Sequence, residues 1–318
     1  MNGNALDTVV IAGTTAVGKT GISIPVAKAL DAEIISMDSR LVYRGLDIGT
    51  DKPGEKERGG VPHHLIDVAG PGERFTVADF TAGCREAGAS IRGRGKLPLI
   101  VGGTFLYLNA LMKGFNFCGT DRDPGVRGEL EAEADERGTE AMHAELAAMD
   151  PESAGRIHPN DRYRILRALE VLRITGTPPS ASREKAEGEP PLKLLVIALY
   201  LPRNILYERI NKRVDNMYNR GLIKETEGIL KERPQARSFL SNVIGYAQAL
   251  HVIEGLKTLE EATEETKKET RHFARRQMTW LRAMDGITWV NLNGKPAADT
   301  ATELADYIRK SREAKARL

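Results

Sequence analysis

The chain has 318 residues with 46 Lys and Arg against 44 Asp and Glu, and 41% of its residues are hydrophobic. This is ordinary globular composition, and the two cysteines, Cys84 and Cys118, are too few for a disulfide scaffold, so we expect both to be reduced. No apolar run reaches the roughly 20 residues that cross a bilayer and no signal-peptide pattern opens the chain, so we expect a cytoplasmic protein with no membrane contact.

The first third of the chain predicts alternating strands and helices. The segment TVVIAG, residues 8–13, predicts a buried parallel strand, and residues 19–30 predict the helix after it. EIISMDS predicts a second strand that ends just before Asp38, and KLPLIVGG predicts a third over residues 96–103. Further helices are predicted over residues 75–93 and 104–113. This alternation predicts an α/β fold with a parallel sheet flanked by helices.

A purely helical block interrupts this pattern. Residues 123–175 show only helical periodicity, with candidate caps at Asp123, Thr139, Asp150 and Asn160. The segment TGTPPSASREKAEGEPP that follows has the composition of a linker, and LKLLVIALYL then predicts a strand that resumes the sheet. A last strand and helix are predicted at residues 287–292 and 299–312. We therefore predict a P-loop core, residues 1–117 and 190–318, and an inserted helical domain, residues 118–189.

GTTAVGKT, between the first strand and the first helix, fits the P-loop pattern of Gly, four residues, Gly, Lys and Ser or Thr. Amides of such a loop and the helix N-terminus face phosphate groups, while Lys19 neutralises them and the Thr20 hydroxyl ligates Mg²⁺. The loop therefore predicts a diphosphate or triphosphate site. Its members are Gly13, Thr14, Thr15, Ala16, Val17, Gly18, Lys19 and Thr20.

The ends of the next strands carry further candidates. The strand LPLIV ends in Gly102, Gly103 and Thr104, where many P-loop NTPases have an acidic residue, which argues against a motor or switch NTPase. Asp38 follows the second strand, where its carboxylate could accept a proton or a hydrogen bond from a substrate. A turn or cap role for Asp38, and simple helix capping by Thr104, remain the alternatives.

Two helices carry arginines. In DRYRILRALEVLR, helical spacing directs Ile165, Leu166, Leu169 and Leu172 toward a core and leaves Arg164 and Arg167 on other faces. RHFARRQMTWLR places arginines on one stripe and mainly apolar residues on another. The first stripe holds Arg271, Arg275 and Arg282, and the second Phe273, Gln277, Trp280 and Leu281. Two such helices in a P-loop protein predict a nucleic-acid cleft, with a solvated charged face as the alternative.

A histidine pair is less informative. His63 and His64 lie near Asp67, but their spacing matches no zinc pattern and four ligands are lacking. We therefore predict structural roles for them.

An ordered set of segments resembles the bacterial tRNA dimethylallyltransferases. The resemblance extends over about residues 9–290 and, apart from the P-loop, none of its motifs is generic. The segments are GTTAVGKT, DSRLVYRGLDIGTDKP, VPHHLIDV, FTVADF, VGGTFLY, RIHPNDRYRILRALEV, RVDNMYNRGLIKE, VIGYAQAL and RRQMTWLR.

This resemblance implies transfer of a dimethylallyl group from dimethylallyl diphosphate to the exocyclic amine of the adenosine immediately 3′ of the anticodon in tRNA, with release of diphosphate. The loop would hold the diphosphate with Mg²⁺. Asp38 would act as the base, while Thr104 and Arg213 would stabilise the leaving diphosphate. Whether ATP also occupies the loop stays open, and a monomer is expected.

The resemblance also implies contacts with the tRNA anticodon stem-loop, whose target base must leave its stack to meet Asp38. The implied contacts are Asp38, Ser39, Arg40, Leu41, Thr104, Arg127, Tyr163, Arg164, Ile165, Leu166, Arg167, Asn242, Val243, Ile244, Gly245, Tyr246, Ala247, Arg275, Arg276, Gln277, Trp280 and Arg282.

Four positions depart from the family pattern. Thr14 and Val17 stand where Pro and Ser are usual, so hydrogen bonding around the loop is expected to differ. Ala247 stands where Lys or Arg is common and Asn242 replaces a residue that is often basic or an amide, so one phosphate contact is expected to be missing.

Three other functions share parts of this sequence pattern. An adenylate isopentenyltransferase shares the chemistry but needs no RNA-gripping insertion. A small-molecule P-loop kinase would turn over ATP without RNA. A non-catalytic RNA-binding module would leave Asp38 and Thr20 without a purpose.

Overall fold

A computed structural model describes residues 8–113, 123–181 and 192–316. Its centre is one parallel sheet of six strands in the order β3-β2-β4-β1-β5-β6, which confirms the predicted α/β class. The strands are β1 (Thr8–Gly13), β2 (Ala32–Met37), β3 (His63–His64), β4 (Leu97–Gly102), β5 (Leu194–Tyr200) and β6 (Ile287–Asn291). The short strand β3, which pairs with Ile34 and Ile35 of β2, is the one strand that was not predicted.

The described residues also form α-helices. Their bounds are α1 (Lys19–Ala29), α2 (Glu55–Arg58), α3 (Val77–Gly93), α4 (Phe105–Lys113), α5 (Pro124–Arg137), α6 (Thr139–Met149), α7 (Pro151–Arg156), α8 (Arg162–Thr175), α9 (Arg203–Asn219), α10 (Leu222–Glu232), α11 (Arg237–Leu240), α12 (Tyr246–Ile253), α13 (Leu259–Arg282) and α14 (Ala297–Ala316). A 3₁₀ turn, Pro234–Ala236, precedes α11.

The central strands β1, β2 and β4 are buried on both faces, as their continuous apolar runs require. Successive side chains of a strand point to opposite faces, so Val9 and Ile11 of β1 enter one core, which α1 and α14 cover. Val10 and Ala12 enter the other core, with side chains of α3 and α4. A third apolar cluster lies among α9 to α12 and is centred on the fully buried Tyr246. Because the strands are parallel, their carboxyl ends lie at one edge of the sheet.

The described chain divides into two compact units. One comprises residues 1–112 with 192–318, and the other residues 113–191. The predicted insertion had the limits 118 and 189.

The smaller unit contains α5 to α8 around a core of its own. Leu130, Met142 and Leu146 pack there with the predicted core residues of α8. Those residues, Ile165, Leu166, Leu169 and Leu172, are all buried, as their spacing predicted.

Two of the four predicted caps in this unit are confirmed. Asp123 and Asp150 accept hydrogen bonds from the first amides of α5 and α7. The caps of α6 and α8 are instead Gly138 and Asp161, one residue from the predicted Thr139 and Asn160. Residues 182–191 of the predicted linker lie outside the described residues.

Two expectations from composition concern the cysteines and the membrane. Cys84 is a buried free thiol whose pKa burial raises to about 12, and Cys118 lies outside the described residues. Within the described ranges, no helix is both long enough and apolar enough to span a bilayer.

Candidate active site

A cavity of about 400 Å³ opens at the carboxyl ends of β1, β2 and β4, where open parallel sheets bind ligands. It lies wholly within the larger unit. The structure brings the predicted chemical groups together there, although they are far apart in sequence. Its lining includes Thr15, Lys19, Thr20, Asp38, Thr104, Arg213 and Gln277. The volume is within the range of small-ligand sites.

Residues 13–20, the glycine loop, join β1 to α1. Ala16 and Gly18 have positive φ angles of 60° and 105°, a geometry that turns successive amides toward one side. The Nζ of Lys19 donates to the carbonyl oxygens of Gly13 and Thr14, at 3.1 and 2.8 Å. The loop thus holds its lysine over its own backbone, beside the cavity.

The pKa of Lys19 is lower than that of an ordinary lysine. Burial lowers its pKa to about 8, an effect that the positive Arg213 reinforces and the negative Asp38 opposes. An anion in the cavity would favour the protonated form, because opposite charges stabilise each other strongly where water is excluded.

Asp38 sits directly after β2, as predicted, and one of its oxygens caps a turn. Its Oδ1 accepts hydrogen bonds from the amides of Arg40 and Leu41, at 2.8 and 3.3 Å. No hydrogen bond to Oδ2 is made by the described residues. The two sequence readings of Asp38 are therefore compatible, since Oδ1 holds the turn while the carboxylate lines the cavity.

Thr104 ties the end of β4 to the turn after β2. Its Oγ1 accepts from the amide of Ser39 at 3.0 Å, and its own amide donates to the carbonyl of Met37 at 3.2 Å. Gly102 makes this approach possible, because a Cβ there would lie 2.0 Å from the Met37 carbonyl oxygen. The hydrogen bonds of Thr104 and Asp38 therefore hold the same turn after β2, which packs closely against the end of β4.

Arg213, on α9, reaches the glycine loop from the other side of the cavity. Its Nη1 donates to Thr15 Oγ1 at 3.0 Å and its Nη2 to the carbonyl of Thr50 at 2.8 Å. Its Nε lies 3.4 Å from Asp51 Oδ2. A cation held against the glycine loop is suited to stabilise negative charge that develops there.

Gln277 has a different environment from the one predicted. Its Oε1 accepts from the amide of Thr15 at 2.8 Å, and its Nε2 donates to the carbonyl of Gly103 at 2.8 Å. The side chain is buried, so it joins the glycine loop to the end of β4. The apolar stripe of α13 on which it lies was the one sequence signal for this burial.

Two departures from the family pattern lie in the glycine loop. Val17 is fully buried in the core, where its side chain packs close to Gly13, and its carbonyl accepts from Arg209 Nη1 at 3.1 Å. Thr14 is fully buried as well, and its hydroxyl has no hydrogen-bond partner among the described residues. The Thr14 side chain thus fills space without making a hydrogen bond of its own.

The residues near the cavity that are implied to contact RNA differ in how far they are exposed to solvent. Arg40 donates to the carbonyl of the exposed Asn242 at 3.3 Å. Val243 and Tyr246 are buried in the third apolar cluster. Their side chains therefore support the segment, although Val243 also lines the cavity. The RNA contacts of this segment stay a prediction, which its accessible neighbours can satisfy. Those neighbours are Ser39, Arg40, Leu41, Asn242, Ile244 and Ala247, while Gly245 begins α12.

The residues of α13 that are implied to contact RNA also differ in solvent exposure. Arg275, Arg276, Trp280 and Arg282 are exposed, whereas Gln277 and Leu281 are buried. The predicted, mainly apolar stripe of α13 is therefore only partly buried. Gln277 and Leu281 lie in the core, and Phe273 and Trp280 lie at the surface.

In the smaller unit, an arginine and an aromatic ring form an accessible pair. Arg127 lies over the ring of Tyr163, 5.4 Å from its centroid, and also pairs with Glu131. Arg164 is exposed beside Asp161. These three residues are available for contact with a polyanion.

Of three further residues of α8, two face inward and the third, Arg167, is half-buried. Ile165 and Leu166 are fully buried, so their side chains are core residues and not surface contacts. Arg167 pairs at 3.0 Å with Glu170, whose side chain is completely buried. A buried carboxylate requires such a partner, so Arg167 supports the core of this unit, and its contact with tRNA stays a prediction.

The histidine pair forms β3. His64 Nε2 lies 2.7 Å from Glu33 Oε2, while Asp67 pairs with the buried Lys52. In the part of the chain that the structure describes, no three His, Cys, Asp or Glu side chains group closely enough to hold a metal ion. His63 lines the cavity, however, and burial lowers its pKa. Its position at the cavity wall was not predicted.

Comparisons of the sequence and of the structure with known proteins match one enzyme family. The family model described as IPP transferase matches residues 41–284. A tRNA dimethylallyltransferase from Symbiobacterium thermophilum is 45% identical over 97% of this chain and 96% of its own. A crystal structure of the tRNA isopentenylpyrophosphate transferase from Bacillus halodurans is similar with a TM-score of 0.72, 40% identity and 98% coverage of both chains. A eukaryotic dimethylallyltransferase acting on tRNA gives a TM-score of 0.80 at 29% identity, covering 96% of this chain and 80% of that one.

Proposed function

This chain belongs to the IPP transferase family, and we propose that it transfers a dimethylallyl group from dimethylallyl diphosphate to the exocyclic amine of the adenosine immediately 3′ of the anticodon in tRNA. The observation that carries the proposal is the convergence of a phosphate-binding loop, a carboxylate and an arginine on one cavity. The bacterial relative and the eukaryotic structure, both named for this activity, support the tRNA substrate.

The reaction needs one bond to form and one to break. The adenine amine nitrogen attacks the first carbon of the dimethylallyl group, and the bond from that carbon to the diphosphate oxygen breaks. The amine proton passes to the Asp38 carboxylate, and the bonding electrons leave with the diphosphate. Lys19, Arg213 and the amides of the glycine loop stabilise the negative charge that collects on the leaving group. The hydroxyl of Thr104, beside Asp38, assists the same departure.

The residues at the start of α1 fit a magnesium ion bound together with the diphosphate. The Thr20 side chain is exposed at the cavity, and its hydroxyl makes no hydrogen bond to the described residues. Oxygen ligands of this kind suit Mg²⁺, which binds through few protein groups plus water and phosphate oxygens. When bound, the ion would neutralise part of the diphosphate charge. We propose Thr20 as its protein ligand.

Accessible arginines and aromatic rings supply the proposed tRNA contacts. On α13 these are Arg275, Arg276, Trp280 and Arg282, and in the smaller unit Arg127, Tyr163 and Arg164. Guanidinium groups bind phosphates and aromatic rings stack on exposed bases. Ser39 to Leu41 and Asn242 border the cavity and are proposed to receive the target nucleotide.

The first experiment supplies labelled dimethylallyl diphosphate and Mg²⁺ with unmodified tRNA, and with AMP as a parallel acceptor. We expect label in one adenosine of the tRNA and none in a matched transcript that carries guanosine immediately 3′ of the anticodon. Label in AMP alone would assign the protein to nucleotide prenylation instead. Failure with both acceptors, together with ATP turnover in the absence of RNA, would favour the kinase alternative.

Replacement of Arg164 by Gln is expected to weaken tRNA binding and to flatten its salt dependence. Each phosphate contact that is lost lowers the slope of log Kd against log salt concentration by about 1. Filter binding across a range of salt concentrations measures this slope. An unchanged slope would place Arg164 on a merely solvated face.

Arg156→Gln is the matched control for this experiment. Arg156 is a similarly exposed arginine of the same unit, paired with Glu152, and the proposal gives it no RNA contact. Arg167 is unsuitable for the test, because its removal would leave the buried Glu170 without its closest partner, at a cost of about 3 kcal/mol in stability.

A further inference from the structure

Glu225, on α10, occupies a nest of backbone amides outside the cavity. Its carboxylate accepts hydrogen bonds from the successive amides of Asp47, Ile48 and Gly49, at 2.8–3.2 Å. Tyr246 adds a fourth donor, with Oη 2.5 Å from Glu225 Oε1. Three consecutive amides that converge on one anion hold a backbone segment firmly, because hydrogen bonds to a charged acceptor are about twice as strong as neutral ones.

The segment held in this way leads directly to Arg213. The two residues after the nest, Thr50 and Asp51, supply the carbonyl and the carboxylate that bind the guanidinium Nη2 and Nε. With these two nitrogens engaged, the remaining Nη1 points to Thr15 of the glycine loop. The direction of the cation therefore depends on where residues 50 and 51 lie.

Other contacts show how closely the segment is constrained. A Cβ at Gly49 would lie 2.4 Å from the Tyr246 ring, so the backbone there is pressed against that buried side chain. Asp51 adopts a positive φ of 54°, which a non-glycine residue keeps only when its surroundings hold it. After the turn, the buried Lys52 ammonium contacts the Tyr43 carbonyl and the carboxylates of Asp47 and Asp67. Glu225 anchors the start of the turn and Lys52 its end.

We propose that Glu225 is a positioning residue for the transfer reaction: by anchoring residues 47–49 it sets the orientation in which Arg213 meets the diphosphate. The proposal rests on the function proposed above, in which Arg213 stabilises the leaving group. Glu225 itself touches neither substrate. Its influence passes through Thr50 and Asp51 to the guanidinium.

The test is a double-mutant cycle between Glu225 and Arg213. Glu225→Gln keeps the size of the side chain but turns an NH₂ toward amide donors, so the nest is partly lost. In the otherwise wild-type enzyme it should lower kcat by about tenfold while KM for tRNA changes little. In an Arg213→Gln background the same change should alter kcat less than about twofold, because the residue it acts through is gone.

Glu227→Gln is the matched control, since Glu227 is an exposed glutamate of the same helix and should leave kcat unchanged. An equal loss of kcat in both backgrounds, or no loss in either, would overturn the proposal. If Glu225→Gln does not fold, Tyr246→Phe removes one donor from the same carboxylate, and its cycle with Arg213→Gln is judged by the same criteria.

The positioning role of Glu225 can also be tested if the proposed function is wrong. If the wild-type enzyme transfers no dimethylallyl group to tRNA, the cycle is measured by calorimetric binding of inorganic diphosphate with Mg²⁺. Coupling between Glu225 and Arg213 in that measurement would retain the positioning role. Additive losses of affinity would remove it.

Discussion

Asn in place of Asp38 is expected to remove nearly all prenyl transfer while leaving tRNA binding largely intact. The substitution keeps an oxygen that accepts from the amides of Arg40 and Leu41, so the turn after β2 is preserved. It removes the group that takes the amine proton, and loss of a general base costs about 10²–10⁴-fold in rate. Single-turnover transfer with saturating tRNA measures the chemical step, and filter binding measures tRNA affinity.

Ala at position 38 provides the comparison, because it loses both the base and the turn contacts. If Asn and Ala give similar losses of transfer, the base accounts for the effect. If Asn alone retains nearly full activity, Asp38 serves the turn and is not the proton acceptor.

Substitution of Lys19 by Met is expected to lower kcat/KM for dimethylallyl diphosphate by about 10²–10³-fold, as for the loss of one donor to a developing anion. The wild-type enzyme should also show a characteristic pH dependence. Lysine is cationic below its pKa, so diphosphate binding should be tightest below pH 8 and weaken above it, where the free enzyme loses the Lys19 proton. The dissociation constant should rise by up to about tenfold per pH unit there.

Binding of dimethylallyl diphosphate without tRNA, from pH 7 to 9.5, measures this dependence. Lys19→Arg is the informative control, because arginine stays charged throughout this range. Its pH profile should lack the inflection near 8, whatever its absolute affinity. An identical inflection in the arginine variant would assign the titration to another group.

The sequence alone determined the fold class and the identity of the principal chemical groups. Short β-branched runs followed by glycine or aspartate defined the strands and their ends, so the glycine loop, Asp38 and Thr104 could be placed at one edge of a parallel sheet. Helical spacing identified the buried face of α8. The ordered motifs gave the family. Each of these features is local, since a few neighbouring residues carry it.

The contacts between segments that are distant in sequence were decided only by the tertiary structure. Gln277, which was predicted as an RNA contact, lines the cavity and binds the glycine loop across 262 residues. Arg213 reaches Thr15 across 198 residues, and Glu225 holds the turn that orients it. Helical periodicity shows which residues share a face, but which element that face meets depends on the packing of the whole core. A buried polar group forms hydrogen bonds with the groups that the fold places beside it. A local sequence pattern does not show which groups these are.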